Sequence, residues 1–202
     1  MKINTIRLRA MIGWLGMLLP WLVVLLVGDF PRSISATWYT NACTVFMIVL
    51  GSASILLICY EGYERRDDVI LTIAGIAGLG ICLFPCKITD SADRVGTFLI
   101  DKNVSEIIHC VAAVIFFGLL AYNSIFLFTK GDGSPTKKKK IRNVIYIVSG
   151  IGMMSSFLLL LLPRFYIRVW LVETIALFFF GISFLTKADI YPWLFCDTPY
   201  TD

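Results

Sequence analysis

Six long apolar runs, separated by short polar segments, dominate the pattern of hydrophobic and polar positions along this chain. Each run is nearly continuously apolar, whereas membrane-spanning strands alternate at every second residue. A run of about 20 apolar residues is long enough for an α-helix to cross the bilayer. The pattern therefore predicts an all-α integral membrane protein, a bundle of six transmembrane helices in one domain covering residues 1–202. The predicted spans are 10–27, 38–60, 69–85, 107–128, 144–163 and 167–185, and residues 186–202 are predicted to form a cytoplasmic tail at the membrane interface.

The composition agrees with lipid as the solvent of much of the chain. Hydrophobic residues make up 58% of it and charged residues 16%, with a mean hydropathy of +0.81. Soluble domains carry about 25% charged residues. Six spans and their short loops use nearly the whole length, so no separate soluble domain is expected.

The basic residues predict the orientation, because short cytoplasmic loops carry an excess of Lys and Arg. With the N-terminus inside, twelve basic residues fall on the inner side and six on the outer side, which favours the N-in/C-in arrangement. The inner group is Lys2, Arg7, Arg9, Arg65, Arg66, Lys130, Lys137, Lys138, Lys139, Lys140, Arg142 and Lys187, and the outer group is Arg32, Lys87, Arg94, Lys102, Arg164 and Arg168.

The run Lys137–Lys140, with Arg142, is also a candidate contact for anionic lipid. The alternative is that it serves only as a solvated topology signal. Nucleic acid is not an expected partner.

Polar residues at membrane depth are few, and such residues normally face the bundle interior. Most of them fall near the outer ends of the predicted spans, so they either form interhelical hydrogen bonds or line an outward-facing polar pocket for a ligand or a lipid head group. The candidates are Asn41, Glu106, His109, Asn123, Arg168 and Glu173.

No complete catalytic motif accompanies these residues. His109 as a base oriented by Glu173 is the least favoured interpretation, because no GxSxG, HExxH or paired-aspartate motif is present. A single histidine cannot form a multi-histidine metal site, so neither a metal nor a cofactor is expected.

The six cysteines form no CxxC pair. Cys86 ends the third span and Cys110 opens the fourth, both on the predicted outer side. Two interpretations stay open: small apolar residues in helix contacts, or a disulfide that closes the outer loop in an oxidising compartment.

Small residues recur at helical spacing in two spans, as Gly13 and Gly16 in the first and Ala74 and Gly78 in the third. Such residues let helix backbones approach closely. We expect these contacts to form within one protomer, and contacts between protomers are the alternative.

The segment CYEGYERRDDVILTIAGIAGLGICLFPC resembles the region between the second and third spans of bacterial six-span proteins of the Frag1/DRAM/Sfk1 family. The similar positions are Tyr60, Gly62, Tyr63, Gly75, Gly78, Phe84 and Pro85, with His109 opening the next span and Glu173, Gly181 and Ser183 in the last one. The resemblance implies a multi-pass protein of the bacterial inner (plasma) membrane. Its eukaryotic relatives imply roles in lipid-anchor remodelling, lipid distribution or membrane trafficking.

Three classes of function remain open. The first and favoured one is a non-enzymatic membrane protein that interacts with lipid or regulates another protein. The second is an oligomeric pore or transporter, or an effector that permeabilises membranes. The third is a lipid-modifying enzyme. The expected partners are membrane lipids and either a second copy of the chain or another membrane protein.

Overall fold

The computed structural model describes residues 5–62, 64–130, 136–161 and 168–190. Within these residues the chain forms six α-helices, which confirms the predicted all-α class. The helices are α1 Thr5–Val27, α2 Cys43–Ile58, α3 Arg65–Leu83, α4 Lys102–Tyr122, α5 Lys137–Leu158 and α6 Val169–Lys187. Short elements join them: 3-10 helices at Ser35–Tyr39 and Leu159–Leu161, a π-helical turn at Asn123–Leu127, and the two-residue strands β1 Arg94–Val95 and β2 Ile100–Asp101. Tyr63, Arg164, the loop 131–135 and the tail beyond 190 lie outside the described residues.

Four of these helices are long and apolar enough to cross a membrane: α1, α4 together with its π-helical turn, α5 and α6. The helix α2 has 16 residues and is about 24 Å long, less than the roughly 30 Å of a bilayer core. The helix α3 begins with four charged residues, which shorten its apolar part.

All six helices begin at residues other than the predicted ones, and α2 and α5 show why. The helix α2 begins at Cys43 instead of residue 38, because the preceding residues wind as a 3-10 helix. The helix α5 begins at Lys137 instead of residue 144. The Thr136 side chain accepts a hydrogen bond from the Lys139 N–H at 3.2 Å and caps this end. The lysine run is therefore helical, as expected for a residue with good helix propensity.

The helices form a closed ring in which each packs against the next in sequence and α6 returns against α1. Glycines permit the closest approaches. A Cβ added at Gly16 would lie 2.4 Å from the Phe180 ring on α6, and one at Gly78 would lie 2.2 Å from Ser54 Oγ on α2. The predicted small-residue contacts are thus used within the protomer. The largest fully buried side chains, Phe46, Phe116, Phe180 and Phe184 among them, fill the ring.

The bundle has two chemically different ends. At one, which we call the basic end, Arg9 Nε donates to Tyr60 Oη at 2.8 Å and Lys130 Nζ pairs with Asp67 at 2.9 Å. At the other, the hairpin end, Tyr39 Oη donates to the Cys86 carbonyl at 2.9 Å. The antiparallel strands β1 and β2 lie at this end, where Phe98 and Leu99 are exposed beyond the paired residues.

Candidate functional site

The Glu173 carboxylate, on α6, holds the segment that follows α1. It accepts hydrogen bonds from Ser33 Oγ at 3.0 Å, from the Ile34 N–H at 2.5 Å and from Ser35 Oγ at 3.0 Å. These three donors, from consecutive residues, fill most of the hydrogen-bond accepting capacity of a carboxylate. Glu173 therefore closes the hairpin end of the bundle between α1 and α6.

His109, on α4, is buried and holds the end of α3. Its Nδ1 lies 2.8 Å from the Phe84 carbonyl oxygen. A carbonyl can only accept, so Nδ1 carries the proton and a neutral ring leaves an acceptor on Nε2. Ser105 Oγ donates to the neighbouring Pro85 carbonyl at 2.8 Å. These two bonds fix the chain where it leaves α3.

His109 and Glu173 line one cavity in the hairpin half of the bundle. Its volume is about 70 Å³, and all six helices contribute to its wall. Apart from these two residues and Ser35, every residue of the wall is apolar. Among the described residues no hydrogen bond joins His109 to Glu173, so the two polar groups face the same space independently. The apolar wall is formed by Leu19, Ile34, Phe46, Leu50, Ile81, Ala113, Phe116, Phe117, Phe157 and Leu177.

Two residues of the cavity wall lie at the seam between α4 and α5. They are Ala113 on α4 and Phe157 on α5, and both are partly exposed. The Phe117 and Phe157 rings meet across this seam with centroids 5.1 Å apart. This seam is therefore one place where the cavity wall lies close to the surface of the bundle.

Three other predicted site residues lie outside this cavity and join chain segments. The Glu106 carboxylate accepts from the Lys87 N–H and from Cys110 Sγ, the latter at 3.7 Å. Asn41 Nδ2 donates to the Leu26 carbonyl at 2.8 Å, and Arg168 Nη1 donates to the Phe30 carbonyl at 2.9 Å. The bonds to the Lys87 N–H, the Leu26 carbonyl and the Phe30 carbonyl each cross from one segment to another, whereas the Cys110 contact lies within α4.

Asn123 lies in the other half of the bundle, in the π-helical turn, and only 1% of it is exposed. Beside it, Ser124 Oγ donates to the Tyr146 carbonyl at 2.7 Å and lies 2.6 Å from Ser183 Oγ. These serines link α4, α5 and α6. Asn123 is thus separate from the cavity that holds His109.

Of the basic candidates, Lys139 and Arg142 line a second cavity at the basic end, with Lys187. Lys137 and Lys140 are exposed, and Lys138 is partly exposed.

Cys86 and Cys110 carry free thiols, so the disulfide, one of the two interpretations left open by the sequence, is not formed in this structure. Burial raises the pKa of the Cys86 thiol to about 12, and the carboxylates of Glu173 and Glu106 add to this rise. A thiol with so high a pKa is a poor nucleophile. Within the described residues, no group of three His, Cys, Asp or Glu side chains is arranged to hold a metal ion.

Sequence reasoning missed Ser33 and Ser35, the hydroxyl partners of Glu173. The available signal was their position directly after the first predicted span, at the same level as Glu173. Only the return of α6 against α1 shows that these groups meet.

The chain matches no protein-family model, and the comparisons with curated proteins and with solved structures give no match either. The resemblance to the Frag1/DRAM/Sfk1 family stays a prediction.

Proposed function

We propose that the chain is a six-span membrane protein that binds lipid and performs no chemistry of its own. The helices α2 and α3 are not among the four that are long and apolar enough to cross a membrane, but both carry outward-facing apolar stripes, which support six spans. On α3, Val69, Ile73 and Ile76 are 50%, 46% and 58% exposed, at helical spacing i, i+4 and i+7. On α2, Ile48 and Ile55 are exposed seven residues apart. Exposing such stripes to water would cost free energy, and in this proposal lipid covers them.

Both termini are cytoplasmic in this proposal, with the basic end inside. The cationic residues support this orientation, because short cytoplasmic loops carry an excess of Lys and Arg, and Arg9, Lys130 and Lys187 lie at the basic end. Trp and Tyr concentrate at both membrane interfaces, so they mark the level of an interface at the hairpin end and do not favour an orientation. At the hairpin end the Trp170 ring contacts Phe30 at 4.9 Å and Trp21 at 6.1 Å. The bacterial inner membrane follows from the family resemblance.

The observation that carries lipid binding is the cavity of Glu173 and His109. An apolar wall with a few polar groups is typical of ligand sites. At about 70 Å³ it is smaller than the roughly 300–1,000 Å³ of ordinary ligand pockets. It fits the end of one chain entering between α4 and α5, and the rest of the ligand stays in the bilayer.

The bonding of the polar groups weighs against catalysis. Glu173 already accepts from three donors that hold the 33–35 segment, so its use as a base would release that segment. Ser35, the hydroxyl in the cavity wall, donates to the same carboxylate. A binding role requires no such rearrangement.

Native mass spectrometry of the protein released from mild detergent, with lipid identification, tests this proposal. We expect a monomer or dimer that retains one lipid class. The variant Ala113→Phe fills the cavity from the α4–α5 seam and should lose the lipid. The control Val114→Phe places the same side chain on the exposed face of α4 and should keep it.

Two results would overturn the proposal. One is retention of the same lipid by both variants, which would separate it from the cavity. The other is a higher-order ring without lipid, which would move the pore hypothesis to first place. Because phenylalanine side chains fill the interior of one protomer, such a pore would have to lie between protomers.

A further inference from the structure

A second cavity lies at the basic end of the bundle and measures about 230 Å³. Of the seven described residues that line it, four are cationic and none is acidic. The lining residues are Phe128, Lys130, Lys139, Arg142, Asn143, Tyr146 and Lys187.

One face of α5 forms most of this wall. Lys139, Arg142, Asn143 and Tyr146 follow the spacing i, i+3, i+4 and i+7, which places them on the same side of a helix. Lys137 and Lys140 do not line the cavity and are exposed. The lysine run is therefore divided between a cavity and the free surface, which a mere topology signal does not require.

Lys187 forms the base of the cavity. It is the last residue of α6, and only 9% of it is exposed. Its Nζ donates to the Phe128 carbonyl at 3.1 Å and lies 5.3 Å and 5.6 Å from the centroids of the Phe128 and Tyr146 rings. Aromatic faces attract a cation, but a buried charge is stabilised mainly by an opposite charge.

Among the described residues, more cations than anions act on Lys187. Lys130 has its own carboxylates, Asp67 at 2.9 Å and Glu64 at 3.2 Å, and neither lines the cavity. Asp189 attracts Lys187. Three cations repel it, and these are Arg9, Lys139 and Arg142. One anion in the cavity would be attracted by Lys139, Arg142 and Lys187 together.

We propose that this cavity binds a phosphate group. The planar guanidinium of Arg142 can donate two parallel hydrogen bonds to phosphate oxygens, and lysine ammonium groups contribute point charges. Three cations that converge on one cavity suit a phosphate dianion better than a single carboxylate. The phosphate comes from either a lipid head group at the cytoplasmic surface or a soluble phosphate compound. This site lies at the opposite end from the cavity of Glu173 and is independent of it.

The test measures thermal unfolding of the purified full chain with inorganic phosphate against chloride at equal ionic strength. A parallel series uses nanodiscs of phosphatidylcholine with and without phosphatidic acid. We expect one of these phosphate sources to raise the melting temperature. Arg142→Gln should raise the concentration of that phosphate source needed for half-maximal stabilisation at least about tenfold, because it removes a charge-assisted pair of hydrogen bonds. Lys139→Gln provides a second variant should Arg142→Gln fail to fold.

Lys140→Gln is the matched control, since it removes the same charge from the same run outside the cavity. Stabilisation by inorganic phosphate that depends on Arg142 or Lys139 identifies a site for soluble phosphate. Stabilisation by phosphatidic acid alone, with the same dependence, identifies a head-group site. The proposal is overturned when neither source stabilises the protein. The proposal is also overturned when Lys140→Gln loses as much of the phosphate-induced stabilisation as Arg142→Gln, because diffuse surface charge would then explain the stabilisation.

Discussion

The contact between α2 and α3 allows a sharp test of the fold, through the substitution Gly75→Ala. A Cβ at this position would lie 2.5 Å from the Ser54 carbonyl oxygen and 2.6 Å from Ile58 Cγ1. Ordinary contact begins at 3.4 Å, so the two helices must separate by close to 1 Å. The nearest atom belongs to the backbone of α2, and a rotamer change cannot move it.

The magnitude follows from two opposing terms. Alanine is favoured over glycine inside a helix by about 0.8–1 kcal/mol. Overpacking costs about 1–3 kcal/mol, and a gap of 0.5–1 Å forfeits roughly a quarter to a half of each contact's dispersion energy. Gly118→Ala on α4 is the matched control, because nothing lies within 4 Å of its added Cβ. The propensity term is common to both variants, so the difference in their free energies of unfolding isolates the steric cost of about 1–3 kcal/mol.

The assay is reversible unfolding in mixed micelles, with the helical signal followed against the fraction of denaturing detergent. We expect Gly118→Ala to equal or exceed the parent in stability and Gly75→Ala to fall below Gly118→Ala by the stated amount. Equal stability of the two variants would refute the reasoning, because α2 and α3 would then not approach at Gly75.

Three further predictions concern residues outside the six helices. In a cysteine-free background, an impermeant maleimide should label Ala92→Cys in intact cells and a restored Cys59 only after permeabilisation, and the reverse pattern would contradict the proposed orientation. The first-turn N–H groups of α4 lower the pKa of Asp101 below its ordinary value of 3.8, so the stability that this cap contributes is complete above that value and is lost as the pH falls through the lowered pKa. Below pH 5 the melting temperature of Asp101→Asn should therefore depend less on pH than that of the parent protein. An unchanged pH dependence would show that the cap contributes nothing to stability. Because the Cys86 pKa is raised from 9.0 to about 12, its thiolate fraction at pH 8 is about a thousandfold lower than that of an ordinary thiol. A thiolate of higher pKa is the stronger nucleophile, which offsets part of this difference, so labelling of Cys86 in detergent should be at least about tenfold slower than that of Ala92→Cys. Comparable rates would show that the Cys86 thiol is not buried.

The helical class and the order of the helices were predictable from the sequence, because long apolar runs leave few alternatives. The ends of the helices were harder to predict, since capping and propensity decide them. The lysine run looks like a loop by hydropathy, yet Thr136 caps it and the helix begins there. Residues 38–42 look like the start of a span, yet the chain enters α2 only at Cys43.

The candidate site was predictable only in part. Burial in the bundle was expected for His109 and Glu173, and both line one cavity. Their partners could not be found from spacing, because Phe84 and Ser33 lie 25 and 140 residues away along the chain. Glu106 and Asn41 looked equivalent to them by position, and only the packing of the ring separates the residues that face the cavity from those that join segments.

Under the two binding proposals, the chemistry of each cavity predicts which part of a lipid it accepts. The polar groups at the hairpin end, Glu173 and the Nε2 of a neutral His109, are hydrogen-bond acceptors. They favour a ligand that carries a hydroxyl or another neutral donor and disfavour a phosphate, whose negative charge would lie beside the Glu173 carboxylate. The cavity at the basic end has the opposite preference, because Arg142 and Lys187 are donors with positive charge. A neutral lipid retained in an Ala113-dependent manner and an anionic one retained in an Arg142-dependent manner would therefore be two separate ligands. Loss of both lipids in a single folded variant would contradict this separation and indicate one continuous site.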